Sequence, residues 1–424
     1  MNDRSGTPDG FSRRDALRYG TFGLSGLAAI RLLAACGSDN AAESNTATSG
    51  PATSGTATNA SATTGAPTTS SAGSASSLAA VPDDLLPFDS SIAGGPDSGL
   101  PRRVAWANTA DAEFFLALTK GMEAASNDRD VEFLTAISGN DPEKNISQME
   151  QFLARGIGVL MMQPLDLATQ RPVMERALKD GICVEGLITF PTTLQIAASQ
   201  YNVGFAQGKA AADYATAKLG GKAEVHYFNL DSIGPQLVLR HNGVLDGLKT
   251  AGDGVVVVSD ITASDISVDG GFSVMNTVIQ AHPDIKIVMG GDTLVVGAYN
   301  ALDQAGKLSD DMYLSGVDGD SQALALVKEG GAYKASVAFA WQLMGYGLGQ
   351  FGADWIEGKE IPRVMVAAPI LLDSPDLVDK YIADNASPAD VFADRKRYEE
   401  YLPLLGNVSF ANRDLYWQQD YVPK

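Results

Sequence analysis

Gly156-Ile157-Gly158-Val159-Leu160-Met161-Met162-Gln163-Pro164 is the stretch that decides the fold. From Ile157 to Met162 no polar side chain interrupts the run, and Pro164 stops it. A strand with one face in water alternates apolar and polar residues; a strand buried on both faces does not. This one therefore belongs inside a parallel sheet with helices on both sides.

The same pattern extends in both directions. Upstream, Val104–Ala107 and Val131–Ile137 read as strands. Between them Phe115, Leu118, Met122 and Ala125 recur at helical spacing over 112–126. Ile146, Met149, Phe152 and Leu153 mark the next helix, 167–179 a third, and Ile182–Ile188 a fourth strand. The pattern restarts after Asn202, read as an N-cap, with a helix rich in Ala and Gly to Leu219. Strands follow at Ala223–Phe228, Val255–Ile261, Ile285–Met289 and Tyr313–Val317, with helices at 235–250, 271–281, 295–305 and 321–328. Two runs of strands alternating with helices predict two similar α/β domains. Ala335–Ala340, a helix at 343–356 and Val364–Leu372 are expected to return and complete the two sheets. The last fifty residues mix Pro, Asp and aromatics and read as a surface extension.

The N-terminal part is of another kind. Ser12-Arg13-Arg14-Asp15-Ala16-Leu17 reads as a twin-arginine export signal, and Leu33-Ala34-Ala35-Cys36 as a lipoprotein cleavage site. The weakly apolar run from Tyr19 to Ala35 is short, glycine-rich and broken by Arg31, unlike a permanent membrane span. Residues 1–36 are thus expected to be a signal peptide ending at a lipidated Cys36. From Gly37 to Ala80 nearly every residue is Ser, Thr, Ala, Gly, Asn or Pro, and no large apolar side chain appears before Leu78. Such a segment cannot offset its ordering entropy by burial, so 37–101 is expected to be a disordered stalk, its last part a loose lead-in. A coil of about 45 residues spans roughly 35–40 Å.

The formal charge of the 424-residue chain is −20 and no basic stripe occurs, which argues against a nucleic-acid partner. Of two cysteines, Cys36 belongs to the cleavage site and Cys183 lies in an apolar run, so the body has no disulfide. His226, His241 and His282 have no metal-ligand spacing. No nucleophile with a nearby base and no phosphate-binding glycine loop is evident; Gly290-Gly291-Asp292 lacks the spaced third glycine of a dinucleotide fingerprint. Neither a cofactor nor catalysis is expected.

In open parallel sheets, ligands bind beyond the carboxyl ends of the strands. The polar residues there are Asn108, Asp111, Gln163, Asn229–Ser232, Asp260–Asp265, Asp292 and Asp318.

Phe114-Phe115 ahead of Gly121, Gly156 to Pro164, Arg240-His241-Asn242-Gly243, Gly291-Asp292 and Gly316-Val317-Asp318-Gly319 stand in this order, and on them the chain from Arg103 to Pro369 resembles the type I periplasmic binding proteins, the sugar-binding kind related to ribose-binding protein that serve ABC importers. Phe114 to Gly121 is similar to that family's first helix, with paired aromatics before a glycine. Gly156 to Pro164 is similar to its third strand and proline turn. Arg240-His241-Asn242-Gly243 fits its arginine-x-x-glycine helix. Ala281 to Ile285, Gly291-Asp292 and Gly297 to Leu302 fit the next strand and helix, and Gly316-Val317-Asp318-Gly319 its aspartate turn.

The resemblance implies two Rossmann-like parallel-sheet lobes joined by a multi-strand hinge, with the ligand in the cleft. Lobe 1 is expected over 102–201 and 339–359, lobe 2 over 202–338, and a return strand with a C-terminal extension over 360–424. It also implies the site. Asp318 accepts from ligand hydroxyls or caps its turn; Arg240 donates to ligand oxygens or is a solvated helix residue. Phe114 and Phe115 wall the ligand, at least one of them serving as core. Gln163 stands in place of an asparagine, Phe339 in place of a glutamine, and Asp292 one place after an asparagine position now held by Gly291. Trp341 closes the cleft or is core.

An aspartate–arginine pair of the family is replaced by Ile188, Thr189 and Phe190, and a cleft asparagine by Ala112. The expected ligand is therefore not ribose but a deoxy or methylated sugar, a polyol, or another small polar molecule with an apolar edge. The expected partners are ABC permease subunits, with the protein a monomer tethered outside the cell membrane. A sensory module for a chemoreceptor or kinase, or a secreted enzyme, is the alternative.

Overall fold

The computed structural model describes residues 86–87 and 99–407, except 164, 188–191 and 263. The export signal, Cys36, the stalk up to Leu85, the Ile188-Thr189-Phe190 replacement and the tail from 408 onward lie outside the described residues.

The elements in chain order are β1 (Leu86–Pro87), β2 (Arg103–Asn108), α1 (Glu113–Asp128), β3 (Glu132–Ile137), α2 (Pro142–Arg155), β4 (Val159–Met162), α3 (Leu167–Lys179), β5 (Cys183–Leu187) and β6 (Leu194–Ala197). Then come α4 (Gln200–Lys218), β7 (Ala223–Asn229), α5 (Pro235–Lys249), β8 (Val255–Thr262), α6 (Val268–Ala281), β9 (Ile287–Met289), α7 (Asp292–Gln304), β10 (Tyr313–Val317), α8 (Ser321–Glu329) and β11 (Tyr333–Ala338). The chain ends, among the described residues, with α9 (Trp341–Ile356), β12 (Val364–Val366), β13 (Ile370–Leu372), α10 (Pro375–Ala386), α11 (Pro388–Ala393), α12 (Arg395–Tyr398) and β14 (Leu404–Asn407).

They form two sheets, β1-β14-β12-β6-β5-β4-β2-β3 and β13-β11-β10-β9-β7-β8. The pairs among β2 to β6 and among β7 to β11 are parallel. The α/β class read from the continuous apolar strands is the class observed. β4 shows why: all four of its residues are buried, Met161 against the α1–α9 side and Met162 against the α2–α3 side.

The late segments differ from a single return strand. Val364–Leu372 splits: β12 pairs with β6 in the first sheet, and β13 pairs antiparallel with β11 in the second. Among the described residues the chain thus crosses between sheets after β6, after β11, after β12 and again after β13. The expected surface extension over the last fifty residues is corrected as far as Asn407. Three helices lead to β14, which pairs antiparallel with β12, and β1 pairs with β14 in turn. So the end of the expected stalk contributes a strand to the sheet edge. β6 escaped the periodicity because it is only four residues long and carries Gln195.

The helix pairs α1–α9 and α4–α5 pack with backbones almost touching. A Cβ on Gly204 of α4 would stand 1.9 Å from the carbonyl oxygen of Arg240 in α5. That closeness matters because α4 begins at the crossing between sheets. Its cap is Ser199, whose hydroxyl accepts the Asn202 amide at 3.0 Å, so Asn202, expected as the cap, lies one turn inside.

Candidate functional site

Asp318 follows β10 and has a φ of 110°, a backbone region that a residue with a side chain rarely occupies. Its amide donates to the Val337 carbonyl at 2.9 Å, continuing the β10–β11 ladder. Among the described residues no group donates to its carboxylate. Burial raises its pKa, and the Arg240 guanidinium opposes that rise.

Arg240 is oriented rather than solvated. Its Nε and Nη2 both donate to Oε1 of Gln200, at 2.9 and 2.6 Å. Gln200, buried at the start of α4, was not among the expected site residues; its one signal is a place just after a serine cap.

The aromatic residues converge. Phe114 lies 4.0 Å from Phe115 and 5.0 Å from Trp341 between ring centroids, and Phe339 lies 5.3 Å from Trp341. Phe115 also reaches Trp106 and is buried core, whereas Phe114 is half-buried. Trp341 Nε1 donates to the Asp318 carbonyl at 3.2 Å. The aromatic cluster of the first lobe is thus tied directly to the aspartate turn of the second.

Asn108 ends β2, and Gln163 lies one residue past the neighbouring strand β4. Asn108 is 1% exposed, and its Nδ2 has no partner; neither has the buried Oε1 of Gln163. A buried donor and a buried acceptor left open side by side are expensive unless something completes them. Asp111 is exposed on the loop before α1.

Asp292 is engaged within the fold. It is 1% exposed, and its Oδ2 accepts from the Gly319 amide (2.8 Å), the Asp320 amide (2.9 Å) and Ser336 Oγ (2.7 Å). Its Oδ1 accepts from Tyr333 Oη at 2.8 Å. Four donors occupy the carboxylate, which thereby holds the aspartate turn. Burial drives its pKa well up, the Asp320 charge adds to this, and the hydrogen bonds oppose both.

The carboxylates beyond β7 and β8 also have partners, although Oδ1 of Asp231 is buried without one. His241 lies between Asp231, 2.9 Å from Nδ1, and Asp260, 2.8 Å from Nε2. Asn229 donates to Asp260 at 2.6 Å. This network ties the ends of the two strands to α5 beside Arg240.

Among the described residues no group of three or more His, Cys, Asp or Glu is placed to hold a metal ion, and no helix is long and apolar enough to cross a membrane.

A sequence profile described as the periplasmic binding protein domain matches residues 104–360. The ribose import binding protein of Bacillus subtilis (strain 168) is 26% identical over 268 residues, 63% of this chain and 85% of that protein. A solved ABC transporter periplasmic solute binding protein from Actinobacillus succinogenes 130z, with bound D-allose, superposes with a TM-score of 0.59 at 20% identity, covering 66% of this chain and all of that one. A 5-methylthioribose transporter solute binding protein from Thermotoga lettingae TMO does so with a TM-score of 0.56 at 20% identity, over 69% of this chain and 94% of that one. The family's members are solute-binding proteins outside the cytoplasm, not enzymes. Two parallel-sheet lobes and a profile match over most of the body make this chain a member of the type I periplasmic binding protein family.

Proposed function

We propose that this protein is the solute-capturing component of an ABC importer, lipid-anchored through Cys36, and that its lobes close on a small sugar or polyol with an apolar edge. The observation that carries this reading is the Asp318 carboxylate. It has no hydrogen-bond donor among the described residues, and the backbone carbonyl of the same residue is held by Trp341, whose ring neighbours Phe114 and Phe339. A carboxylate binds a pair of hydroxyls, and aromatic faces suit the C–H side of a sugar or an apolar substituent. Arg240, Asn108 and Gln163 offer donors and one acceptor for the remaining oxygens.

The polar complement is small. Phe339, Gly291 and Ala112 stand where the resemblance to ribose binders supposes polar side chains, so each removes a bond to a hydroxyl. A site built this way favours a deoxy or alkylated sugar over one hydroxylated all round. The Thermotoga lettingae protein, with 5-methylthioribose bound, is an example of the fold holding such a ligand.

The test is titration of the purified protein with D-ribose, D-allose, myo-inositol and 5-methylthioribose, followed by tryptophan fluorescence and calorimetry. Trp341 should report the binding of a ligand with an apolar edge. Tight D-ribose binding overturns the apolar-edge assignment, and no response to any sugar or polyol in a wider panel overturns the ligand class.

A further inference from the structure

Besides the aromatic–aspartate contact, a second polar link joins the lobes. Glu113 is the first residue of α1 in the first lobe, and Ser321 the first of α8 in the second. Both oxygens of the Glu113 carboxylate lie 3.2 Å from the Ser321 amide nitrogen, which donates to them, and Ser321 Oγ donates to Oε2 at 3.1 Å.

The first amides of a helix need acceptors, normally from the residue just before it. Asp320 holds that position in α8 but makes no capping bond, because its Oδ2 is taken by Thr293 Oγ1 at 2.8 Å. The cap of α8 therefore comes from the opposite lobe. A carboxylate also suits the positive end of a helix. Such a bond exists only while the lobes are together, and it is made by two exposed residues, Glu113 just before Phe114 and Ser321 three residues past Asp318.

We propose that Glu113 is a closure latch, a positioning residue that stabilises the closed form by capping helix α8 across the cleft without touching the captured solute. This rests on the reading that the lobes open and close around a solute. Separation of the lobes leaves the Ser321 amide and the carboxylate to water, so the latch slows reopening. Asp320 lies beside the contact: burial, and then the charges of Asp318 and Glu113, raise its pKa to about 6, so part of the cap's gain is offset by that repulsion.

The experiment measures lobe separation without any sugar. Donor and acceptor dyes are attached to the full chain through non-thiol side chains introduced at positions 144 and 249, one on each lobe, and single-molecule energy transfer gives the closed-to-open ratio. Glu113→Ala should lower that ratio about five-fold, the worth of an ordinary helix cap. Ser321→Ala, which keeps the amide, should lower it less. In the Glu113→Ala background Ser321→Ala should change nothing further, because the shared bond is already gone. An unchanged ratio in Glu113→Ala, or equal Ser321→Ala effects in both backgrounds, overturns the latch. Failure of every sugar to bind would refute the capture reading but leave this result standing.

Discussion

Asp292 shapes the turn that presents Asp318 without touching its side chain: Oδ2 of Asp292 accepts the Gly319 amide at 2.8 Å, one residue beyond the φ of 110° at Asp318. The carboxylate also packs onto Gly316, where a Cβ would stand 1.7 Å from Oδ1. Replacing Asp292 with Ala strands the Asp320 amide and the hydroxyls of Tyr333 and Ser336 in a buried place, while the Gly319 amide keeps Ser336 Oγ at 3.1 Å. Each stranded donor costs about 1–3 kcal/mol, some of it recovered by water. Asp292→Ala should therefore lose at least about 3 kcal/mol in urea unfolding. A loss below about 1 kcal/mol would show that the turn stands without it.

Asp318 should behave in the opposite way. A side chain held at such a φ costs of order 1–3 kcal/mol, and glycine relieves it. Asp318→Gly is expected to raise the urea midpoint while abolishing capture of whichever panel sugar binds. A lowered midpoint would contradict stored strain at this residue.

Arg240 and Gln200 act as a unit. Arg240→Ala should weaken capture by about 1.5–3 kcal/mol, the worth of a hydrogen bond to a charged group. Gln200→Ala leaves the charge but removes its orienting acceptor, so a smaller loss of the same sign is expected. Calorimetric titration of both variants and of the pair checks this; fully additive losses would mean that Gln200 acts elsewhere.

Glu185 predicts a pH dependence. It lies in the core of the first lobe, 0% exposed, and neither carboxylate oxygen has a partner. Burial raises its pKa well above the ordinary 4.5. The native state therefore keeps a proton that the unfolded chain releases near 4.5, and stability falls as pH rises above that value. The fall is at most about 1.4 kcal/mol per pH unit, until the native group ionises. Glu185→Gln should flatten the urea-unfolding profile between about pH 5 and pH 8 and be the more stable protein at the upper end. Parallel profiles for the two proteins would rule this out.

Asp384 has the reverse sign. Burial acts to raise its pKa, but hydrogen bonds from Tyr401, Lys380 and Arg397 outweigh that and bring it to about 2. Its stabilisation is present above the ordinary 3.8 and is lost as pH falls towards about 2. Asp384→Asn should remove about 2 kcal/mol at pH 7 and weaken the acid dependence between pH 4 and 2. The effect should reach the cleft, because Tyr381 on the same helix donates to the Phe339 carbonyl at 2.8 Å. A pH profile matching the wild type would show that the clamp is not coupled to folding.

The two α/β halves were legible because period and run length are local properties. Val159–Met162 reads as a doubly covered strand from its own side chains, and α3 keeps the bounds 167–179 expected from its pattern. β6 and the split of Val364–Leu372 were not legible. A strand of three or four residues carries too little pattern, and which sheet it joins depends on where the chain crosses.

By itself the sequence determined which side chains exist at the carboxyl ends of the strands, and so the aromatic and carboxylate character of the cleft. Only the tertiary structure decided which carboxylates remain available. Asp292, Asp231 and Asp260 look as open as Asp318 along the chain, yet folding surrounds Asp292 with four donors and places His241 between the other two. Glu113, an ordinary first-turn acid in α1, acquires its partner 208 residues away. Hydrogen-bond satisfaction depends on neighbours across the fold, and periodicity along the chain carries no information about them.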